Sequence, residues 1–358
     1  MKKSLCEISN PKQWKTISTD MLTETGYPVY GANGIIGYYS TYNHDCETLL
    51  ITCRGATCGS LNICQPFSYV NGNAMALDSL SVDIDIRYLY YYLLNRGLND
   101  VITGSAQPQI VRQSLEKVIV EYPELNIQKS IVETLDKISK IISLRKQQLS
   151  KLDELVKSRF VELFENGESP IKTVEELCSD IVDCPHTTPK YEGELKNPAI
   201  RTSEIKKGYI AWETMRYVSD EEYEERTARL KPEAGDIVYG REGTFGNAAI
   251  LPGGYNFCLG QRVMLLRPDY SKCTSEYLLY SVISDDVYRQ ATEKNNASTV
   301  AHVNVKDVKQ FKVPLPSFDK QNQFATFVEQ TDKSKLEIQK SLEKLETLKK
   351  ALMQKYFG

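Results

Sequence analysis

The sequence predicts an α+β protein built from two mixed, β-rich globular parts in tandem repeat. Each part is followed by one long helix, and the two helices pair as an antiparallel coiled coil with pseudo-twofold symmetry. Three observations predict this fold: the halves resemble each other, two stretches carry heptad spacing, and short β-branched and aromatic runs fill the rest. The predicted globular parts are residues 1–122 and 165–315, and the predicted helices are residues 123–164 and 316–358.

The internal repeat is clearest near the long helices. An offset of 193 residues places Gln128 on Gln321 and holds without a gap over more than thirty residues. Upstream the offset drifts, as insertions in loops would cause. The upstream matches pair residues 54–59 with 241–246, so that Arg54 falls on Arg241, and Leu5-Cys6 with Leu177-Cys178.

Both predicted helices carry an apolar stripe with alternating steps of three and four residues, here called the seam. This period is typical of a coiled coil, and a helix packed only on its own domain could not bury a stripe some five heptads long. Helix one leads into the second part, so the helices overlap only if they run antiparallel. The first seam comprises Ile131, Leu135, Ile138, Ile142, Leu149, Leu152, Val156 and Leu163, with Arg145 and Arg159 in the remaining slots; the second comprises Phe324, Val328, Ile338, Leu342, Leu345, Leu352 and Tyr356, interrupted by Thr331, Lys335 and Lys349.

The length of the helices sets an expected separation. About 38 residues at about 1.5 Å per residue give a spacer of roughly 55 Å between two binding faces. DNA presents the same groove on the same side about every 34 Å. The paired helices are therefore suited to two short recognition sites separated by a gap.

The stretch "YGANGIIGYY", residues 30–39, has glycines at a spacing that also occurs in phosphate-binding loops. Such a loop must lead into a helix N-terminus, whereas β-branched and aromatic residues follow Gly34 here. The alternative is a β-hairpin, with Asn33-Gly34 as its corner. The hairpin is the favoured prediction.

Composition limits the class of protein. Of the 358 residues, 41% are hydrophobic and 25% are charged, as in a globular protein, and the formal net charge of -3 argues against a non-specific polyanion binder. No apolar run suggests a membrane span or a signal peptide, so we expect a cytoplasmic location. Nine cysteines without a C-x-x-C pair suggest reduced thiols. Cys184 and His186 have no second ligand pair, so no metal site is predicted.

Several longer stretches resemble the specificity subunit of type I restriction-modification systems. They are "YPVYGANGIIGYY", "GSAQPQIVRQSLEKVIVEYP", "GDIVYGREGTFGNAAI", "LGQRVMLLRP" and the closing segment from "VPLPSFDKQNQF" to "LMQKYF". The resemblance implies that each globular part is a target-recognition domain that reads one half of a bipartite DNA site. It implies that the helices set the spacer and bind two modification subunits, which hold S-adenosylmethionine. Translocating restriction subunits belong to the full complex in that family.

The chain lacks a visible catalytic centre. An adenine methyltransferase needs an Asn-Pro-Pro-aromatic motif, and the nearest fragments are residues 10–12, NPK, and 197–199, NPA. No G-x-x-x-x-G-K-[S/T] loop for ATP hydrolysis is present. Recognition without catalysis is therefore the leading hypothesis. Its rivals are a self-contained enzyme that modifies or cleaves DNA, and a coiled-coil scaffold without DNA affinity.

Candidate DNA-binding residues are polar side chains in loops bounded by proline or glycine. Arg and Lys can hydrogen-bond guanine, Asn and Gln adenine, and Ser or Thr either base. For each, the alternative is a solvated loop residue or an internal hydrogen-bond partner. The candidates are Asn33, Arg54 and Thr57 in the first part, and His186, Thr187, Thr188, Lys190, Tyr191, Arg201, Thr202, Arg241 and Thr244 in the second.

Two further loops precede the long helices, "GSAQPQI" at 104–110 and "ASTVAHV" at 297–303. Ser105, Gln107, Ser298 and His302 in these loops either contact DNA or cap the loop. The same loop type recurs in domains that should read different sequences. Phosphate positioning or support of the fold is therefore favoured over base readout.

Overall fold

The computed structural model of the chain describes residues 1–104, 107–164, 169–192, 196–243, 246–293 and 303–358. The chain divides into two compact units, residues 1–147 with 339–358, and residues 148–338. Each long helix contributes one portion to each unit. Among the described residues, no helix has the length and apolar character needed to cross a membrane.

The described part of the first unit contains one four-stranded sheet in the order β2-β8-β5-β6, one three-stranded sheet in the order β4-β3-β7, and the strand pair β1-β9. Ladder pairing is antiparallel except between β3 and β7. The strands are β1 (Lys2–Ser4), β2 (Asn10–Gln13), β3 (Tyr27–Gly31), β4 (Gly34–Tyr39), β5 (Thr48–Thr52), β6 (Leu61–Cys64), β7 (Tyr69–Val70), β8 (Ala74–Asp78) and β9 (Ile119–Glu121); the helices are α1 (Leu5–Ile8), α2 (Ile86–Arg96), α3 (Arg112–Leu115) and α4 (Leu125–Phe164), with 3₁₀ turns at Thr19–Met21 and Asn99–Val101.

The described part of the second unit repeats this plan. It has one four-stranded sheet in the order β11-β18-β15-β16, a second four-stranded sheet in the order β12-β14-β13-β17, and the pair β10-β19. The strands are β10 (Ile171–Thr173), β11 (Cys178–Asp183), β12 (Tyr191–Glu192), β13 (Asn197–Ile200), β14 (Arg216–Val218), β15 (Ile237–Gly240), β16 (Ala248–Ile250), β17 (Cys258–Leu259), β18 (Val263–Pro268) and β19 (Lys312–Pro314); the helices are α5 (Val174–Leu177), α6 (Asp220–Thr227), α7 (Ser275–Val282), α8 (Asp285–Glu293), α9 (Val305–Lys309) and α10 (Phe318–Phe357).

Both units begin with the same local structure, a short strand followed by a capped helical turn. The Ser4 amide donates to the Glu7 carboxylate at 2.6 Å, and the Thr173 amide donates to the Glu176 carboxylate at 2.8 Å. These capping boxes pair Ser4 with Thr173. The predicted match of Leu5 with Leu177 is therefore wrong by three residues, because two identical letters without the capping pattern do not define a register.

The long helices α4 and α10 run antiparallel within each unit. In the first unit, Lys146 Nζ lies 2.9 Å from Glu346 Oε1, while Leu135, earlier in α4, shares a core with Met353, later in α10. In the second unit, Lys335 Nζ lies 2.7 Å from Asp153 Oδ1. The later α4 ring of Phe160 contacts the earlier α10 ring of Phe324, with centroids 5.5 Å apart.

The predicted seam is the buried side of both helices. All of its apolar residues are buried or half-buried. The buried ones are Ile131, Leu135, Ile138, Val156, Phe324 and Val328. The slots predicted for Arg145, Arg159, Lys335 and Lys349 are also half-buried, since long side chains can bury their carbon stems while the charge reaches water. The predicted fold class, two mixed units in tandem with paired antiparallel helices, is confirmed.

The "YGANGIIGYY" stretch forms a β-hairpin and not a phosphate-binding loop. Strands β3 and β4 pair antiparallel, with Gly31 opposite Gly34. The corner consists of Ala32 and Asn33, one residue earlier than predicted, and Gly34 follows it with φ +98°. A positive φ suits glycine, which explains why this residue closes the turn.

Candidate nucleic-acid interface

An open groove of about 830 Å³ lies in the second unit at one end of its β11-β18-β15-β16 sheet. It forms where β11 and β15 end, β18 begins and α9 starts. Loops at the end of a rigid sheet can display side chains without disturbing the ladder. The polar lining residues are Asp183, His186, Arg241, Glu242, Gln261, Arg262, Asn304, Lys306 and Asp307.

The floor of the groove is an ion pair. Arg241 is only 5% exposed, and its Nη2 donates to Asp183 Oδ1 at 2.7 Å. Its buried Nε atom has no hydrogen-bond partner in the part of the chain that the structure describes. The pair joins the ends of β11 and β15, and removing one partner would leave an uncompensated charge. Arg241 thus supports the groove from below and does not present its guanidinium on the surface.

The loop after β11 forms one wall and carries four predicted residues, His186, Thr187, Thr188 and Lys190. The His186 side chain is 80% exposed, with Nε2 at 3.6 Å from Asp183 Oδ2. The Thr187 hydroxyl accepts from the buried Arg226 at 3.3 Å, and the Thr188 hydroxyl accepts from Gln261 at 3.0 Å. These bonds hold the loop and leave His186 directed outward. Within the described ranges, no cluster of three or more His, Cys, Asp or Glu side chains could hold a metal ion.

Tyr191 and Arg201 form part of a second, internally bonded group. The Arg201 guanidinium lies 5.7 Å from the Tyr191 ring centroid, and that of Arg216 lies 4.9 Å from it. The Arg201 guanidinium also donates twice to Glu204, at 2.6 and 3.1 Å. Among the other predicted residues of this region, Lys190 is exposed and Thr202 is engaged in further contacts.

The carboxylate of Glu204 is fully buried. Burial alone would raise its pKa, but hydrogen bonds from Arg201, Ser203 and Thr214 outweigh burial and hold the pKa of Glu204 below its ordinary value. The ion pair is therefore charged at neutral pH. It leaves Arg201 less able to turn toward a ligand, because its guanidinium fork is occupied.

The rim of the groove contains an exposed arginine that the sequence analysis did not select. Arg262 has φ +65°, a left-handed backbone conformation that residues other than glycine rarely adopt. Its side chain is 63% exposed, and its Nε lies 3.0 Å from Glu242 Oε2. Such backbone strain often accompanies functional sites. The sequence signal was the polar pair Gln261-Arg262 between Gly260 and a strand.

In the first unit the structure brings the predicted residues into one loop cluster. Thr57 donates its hydroxyl hydrogen to Asn33 Oδ1 at 2.7 Å, which joins the hairpin corner to the loop after β5. Arg54 is exposed and forms a backbone bridge with Gln109, two residues beyond the exposed Gln107. Asn33, Arg54, Thr57 and Gln107 therefore lie on neighbouring loops.

Backbone hydrogen bonds identify equivalent positions in the two units. The Cys53 amide donates to the carbonyl of Asn73 at 3.1 Å, and the Arg241 amide donates to the carbonyl of Arg262 at 2.9 Å. In both units the carbonyl of the same residue accepts a hydrogen bond from the segment that precedes the long helix. Cys53 accepts from the Ile110 amide, and Arg241 accepts from the Val303 amide. Cys53 is thus the counterpart of Arg241, and Asn73 is the counterpart of Arg262.

This equivalence corrects the predicted match of Arg54 with Arg241. Arg54, one residue after Cys53, corresponds to Glu242. The Gly59 amide returns to the last residue of β5, and the Gly246 amide returns to the last residue of β15, so the loop is one residue longer in the first unit. The extra residue lies inside the loop. The sequence match therefore places Arg54 on Arg241, one residue away from the structural match of Cys53 with Arg241.

Four predicted residues lie outside the described residues: Ser105, Thr244, Ser298 and His302. The residues that the prediction missed are those on the groove rim and their counterpart Asn73. A left-handed backbone conformation and a strand register cannot be read from the sequence. Only the "GQR" triplet before β18 could have suggested the rim residues.

A family model and individual relatives of the chain all belong to the same protein family. A model described as the type I restriction modification DNA specificity domain matches residues 2–154 and 187–350. A Haemophilus influenzae protein assigned as a type I restriction enzyme specificity subunit is 21% identical over 360 residues, 91% of this chain and 86% of that protein. The EcoprrI specificity subunit of Escherichia coli is 31% identical over 141 residues, 38% of this chain and 35% of that protein.

Solved structures with the same fold include the S subunit of a type I restriction-modification system from M. genitalium. Its TM-score is 0.66 at 16% identity, and the alignment covers 100% of this chain and 96% of that chain. A structure describing complex assembly and conformational transition of the type I R-M system has a TM-score of 0.58 at 14% identity, covering 100% of this chain and 97% of that chain.

Proposed function

Since the chain belongs to the type I restriction-modification DNA specificity family, we propose that it reads a bipartite DNA target, one half-site with each unit. As a specificity subunit it recognises DNA and does not catalyse a reaction. The observation that carries the proposal is that equivalent loops in the two units hold different side chains, Arg54 and Asn73 in one, Glu242 and Arg262 in the other. One scaffold with two sets of polar side chains suits two different half-sites.

We propose residues 1–122 and 165–315 as the two target-recognition domains, and residues 123–164 and 316–358 as the connecting helices. In the first domain, the neighbouring loops of Asn33, Arg54, Thr57 and Gln107 would face DNA. In the second, His186, Thr188 and Lys190 are exposed on the loop after β11 and are proposed contacts. Lys306 lines the same groove and would neutralise a phosphate.

Other predicted residues are proposed to act by support. The guanidinium groups of Arg201 and Arg241 are bound to Glu204 and Asp183, and Thr187 is held by Arg226. Ordered side chains beneath a contact surface keep the exposed ones in place. Tyr191 belongs with the first of these groups, Thr202 next to Arg201 remains a proposed contact, and Ser105, Thr244, Ser298 and His302 remain proposed contacts on sequence grounds alone.

We propose that the paired helices set the spacer and dock two modification subunits, which would hold S-adenosylmethionine. Each unit exposes one leucine on the outer side of each long helix. Leu144 and Leu348 do so in the first unit, and Leu155 and Leu336 in the second, each about half exposed. A single exposed leucine is common on a protein surface, and we propose these as partner contacts because they recur on the paired helices of both units. The repetition of the pair suits two copies of one partner, and restriction subunits would complete a cytoplasmic complex.

The test combines the purified chain, its modification subunit and S-adenosylmethionine with genomic DNA. Mapping methylated adenines should give one bipartite motif with a fixed gap. Methylation by the chain without the modification subunit would contradict the non-catalytic role. Methylation without any motif when the partner is present would favour a scaffold without sequence recognition.

A further inference from the structure

We propose that one pair of positions in each unit selects a base of its half-site, Arg54 with Asn73 in the first unit and Glu242 with Arg262 in the second. In the second unit Arg262 reads a guanine and Glu242 orients it. In the first unit Arg54 reads a guanine and Asn73 an adenine. The inference rests on the proposed function and deepens it, because it names the residues that decide the target.

The two pairs occupy the same place in the fold. A backbone hydrogen bond joins the residue before Arg54 to Asn73, and an equivalent bond joins the residue before Glu242 to Arg262. Each pair is thereby held on adjacent chain segments at the end of a four-stranded sheet. The two pairs therefore have equivalent backbone positions but different side chains.

The contact between Arg262 and Glu242 leaves the reading end of the arginine available. Glu242 Oε2 forms an ion pair with the guanidinium and lies 3.0 Å from Nε, on its side. Within the described residues no bond is made by the two terminal nitrogens, and the side chain is 63% exposed. A guanidinium held at Nε presents its two terminal nitrogens as a fork, which matches O6 and N7 of guanine. Glu242 is thus a positioning residue, and Arg262 is the contact residue.

The backbone of Arg262 supports this role. Its φ of +65° is unfavourable for arginine and would be relieved by glycine. Asparagine also tolerates this conformation. The strained position carries a long, charged side chain at the edge of a groove, where backbone conformation decides its direction.

In the first unit the arginine occupies the other position of the pair, because Arg54 corresponds to Glu242 and Asn73 corresponds to Arg262. Arg54 and Asn73 are both exposed. Beneath them the Gln13 amide donates to the Cys53 thiol at 2.9 Å, in the position of the Asp183–Arg241 ion pair. Burial raises the pKa of the Cys53 thiol, so this contact is neutral. The contact beneath the exposed pair thus differs between the two units, as the exposed pair itself does.

Phosphate binding does not account for the pattern. If both units held the phosphates with the same positions, each position would carry a hydrogen-bond donor in both, because the phosphates are the same in every half-site and accept hydrogen bonds. Instead, Arg54 is replaced by the carboxylate Glu242, which repels phosphate. A glutamate on a DNA-facing rim is understandable if it holds an arginine in a reading orientation.

The experiment uses the complex of full-length chain and modification subunit, with S-adenosylmethionine and a randomised duplex DNA library. Arg262→Asn places the residue of the first unit on a backbone that tolerates it. Arg262→Lys keeps the charge but removes the fork. Glu242→Ala removes the orienting carboxylate. The double variant Glu242→Arg, Arg262→Asn transfers the whole first-unit pair. Arg289→Ala, an exposed ion-paired arginine on α8, is the matched control.

We expect Arg262→Asn and Arg262→Lys each to reduce the preference for guanine at one position of the second half-site by roughly tenfold or more. Glu242→Ala should weaken the preference at that position without moving it, and the double variant should make the position resemble one in the first half-site. The first half-site and the gap should not change. Arg289→Ala should give the wild-type motif.

An unchanged motif with lower methylation in Arg262→Asn and wild-type levels in Arg262→Lys would identify a phosphate contact and overturn the inference. A wild-type complex that methylates without any motif would overturn the proposed function and the inference with it. If Arg262→Asn destabilises the chain, Arg262→Gly provides the same test on a relaxed backbone, and a retained guanine preference in it is equally contradictory.

Discussion

Gln128 and Gln321 make the same three hydrogen bonds, each within its own unit. Both are fully buried. The Gln128 carbonyl accepts from the amide of Asp85, the N-cap of α2, at 2.9 Å, and the Gln321 carbonyl accepts from the amide of Thr274, the N-cap of α7, at 2.9 Å. Each side-chain amide also donates to two backbone carbonyls, those of Asp83 and Pro123 in the first unit and those of Lys272 and Pro316 in the second.

The first prediction concerns this joint between each long helix and its unit. Gln128→Ala should lower the free energy of unfolding by roughly 3 kcal/mol, because it leaves one N–H and two carbonyls, all partly buried, without their side-chain partner. Gln321→Ala should have a similar effect. Chemical denaturation measures both. Gln147→Ala, an exposed glutamine on the same helix α4, is the control and should change stability by less than about 0.5 kcal/mol. Equal effects at positions 128 and 147 would contradict the prediction.

The second prediction concerns acid stability. The pKa of Glu204 is lowered in the folded chain, so the charged carboxylate stabilises folding at pH values above its ordinary pKa of 4.5. This contribution is lost as pH falls below 4.5 and through the lowered folded pKa. Glu204→Gln should therefore cost about 2 kcal/mol at pH 7 and much less at pH 3.

Denaturation of wild type and variant at both pH values measures this difference. Glu213→Gln changes an exposed carboxylate close in sequence and should affect neither value appreciably. A Glu204→Gln penalty that is the same at pH 3 and pH 7 would show that the lost packing, and not the ion pair, is responsible.

The third prediction tests the helices as a spacer. Deleting residues 142–148 from α4 and 339–345 from α10 removes one heptad from each and keeps the seam in phase. The pair shortens by about 10 Å, which corresponds to about three base pairs of DNA. Methylation mapping should show a shorter gap between unchanged half-sites, or loss of methylation. Retention of the original gap would refute the spacer role.

The fourth prediction concerns partner docking. Leu348→Asp and Leu336→Asp each place a charge on an exposed apolar position, in the first and the second unit respectively. Each should remove one of two modification subunits from the complex, and the double variant should remove both, as native mass spectrometry would detect. Lys340→Asp, on the same helix, controls for added negative charge. Complexes with two modification subunits in both single variants would rule out docking at these leucines.

Much of the fold could be predicted because it depends on spacing along the chain. The seam from Ile131 to Val156 follows a heptad period that can be read in the sequence, and its apolar residues are buried or half-buried in the structure. The repeat also aligns Gln128 with Gln321, and the two side chains make equivalent hydrogen bonds in the structure. The candidate site was harder to predict, because its residues come from separate loops and a side chain can face either inward or outward. Arg241 is an example: the pattern selected it for readout, and the structure binds it to Asp183 beneath the surface.

The sequence by itself determined the tandem repeat, the heptad seam and the antiparallel direction of the helices, because these follow from periodicity and connectivity. Only the tertiary structure decided which residues are equivalent in the two loops, since a one-residue insertion shifts letters without shifting strand register. It also decided that Arg262 and Glu242 form the rim while Arg241 lies below them. Burial and backbone φ, which depend on the packed sheet, separate a supporting arginine from an exposed one.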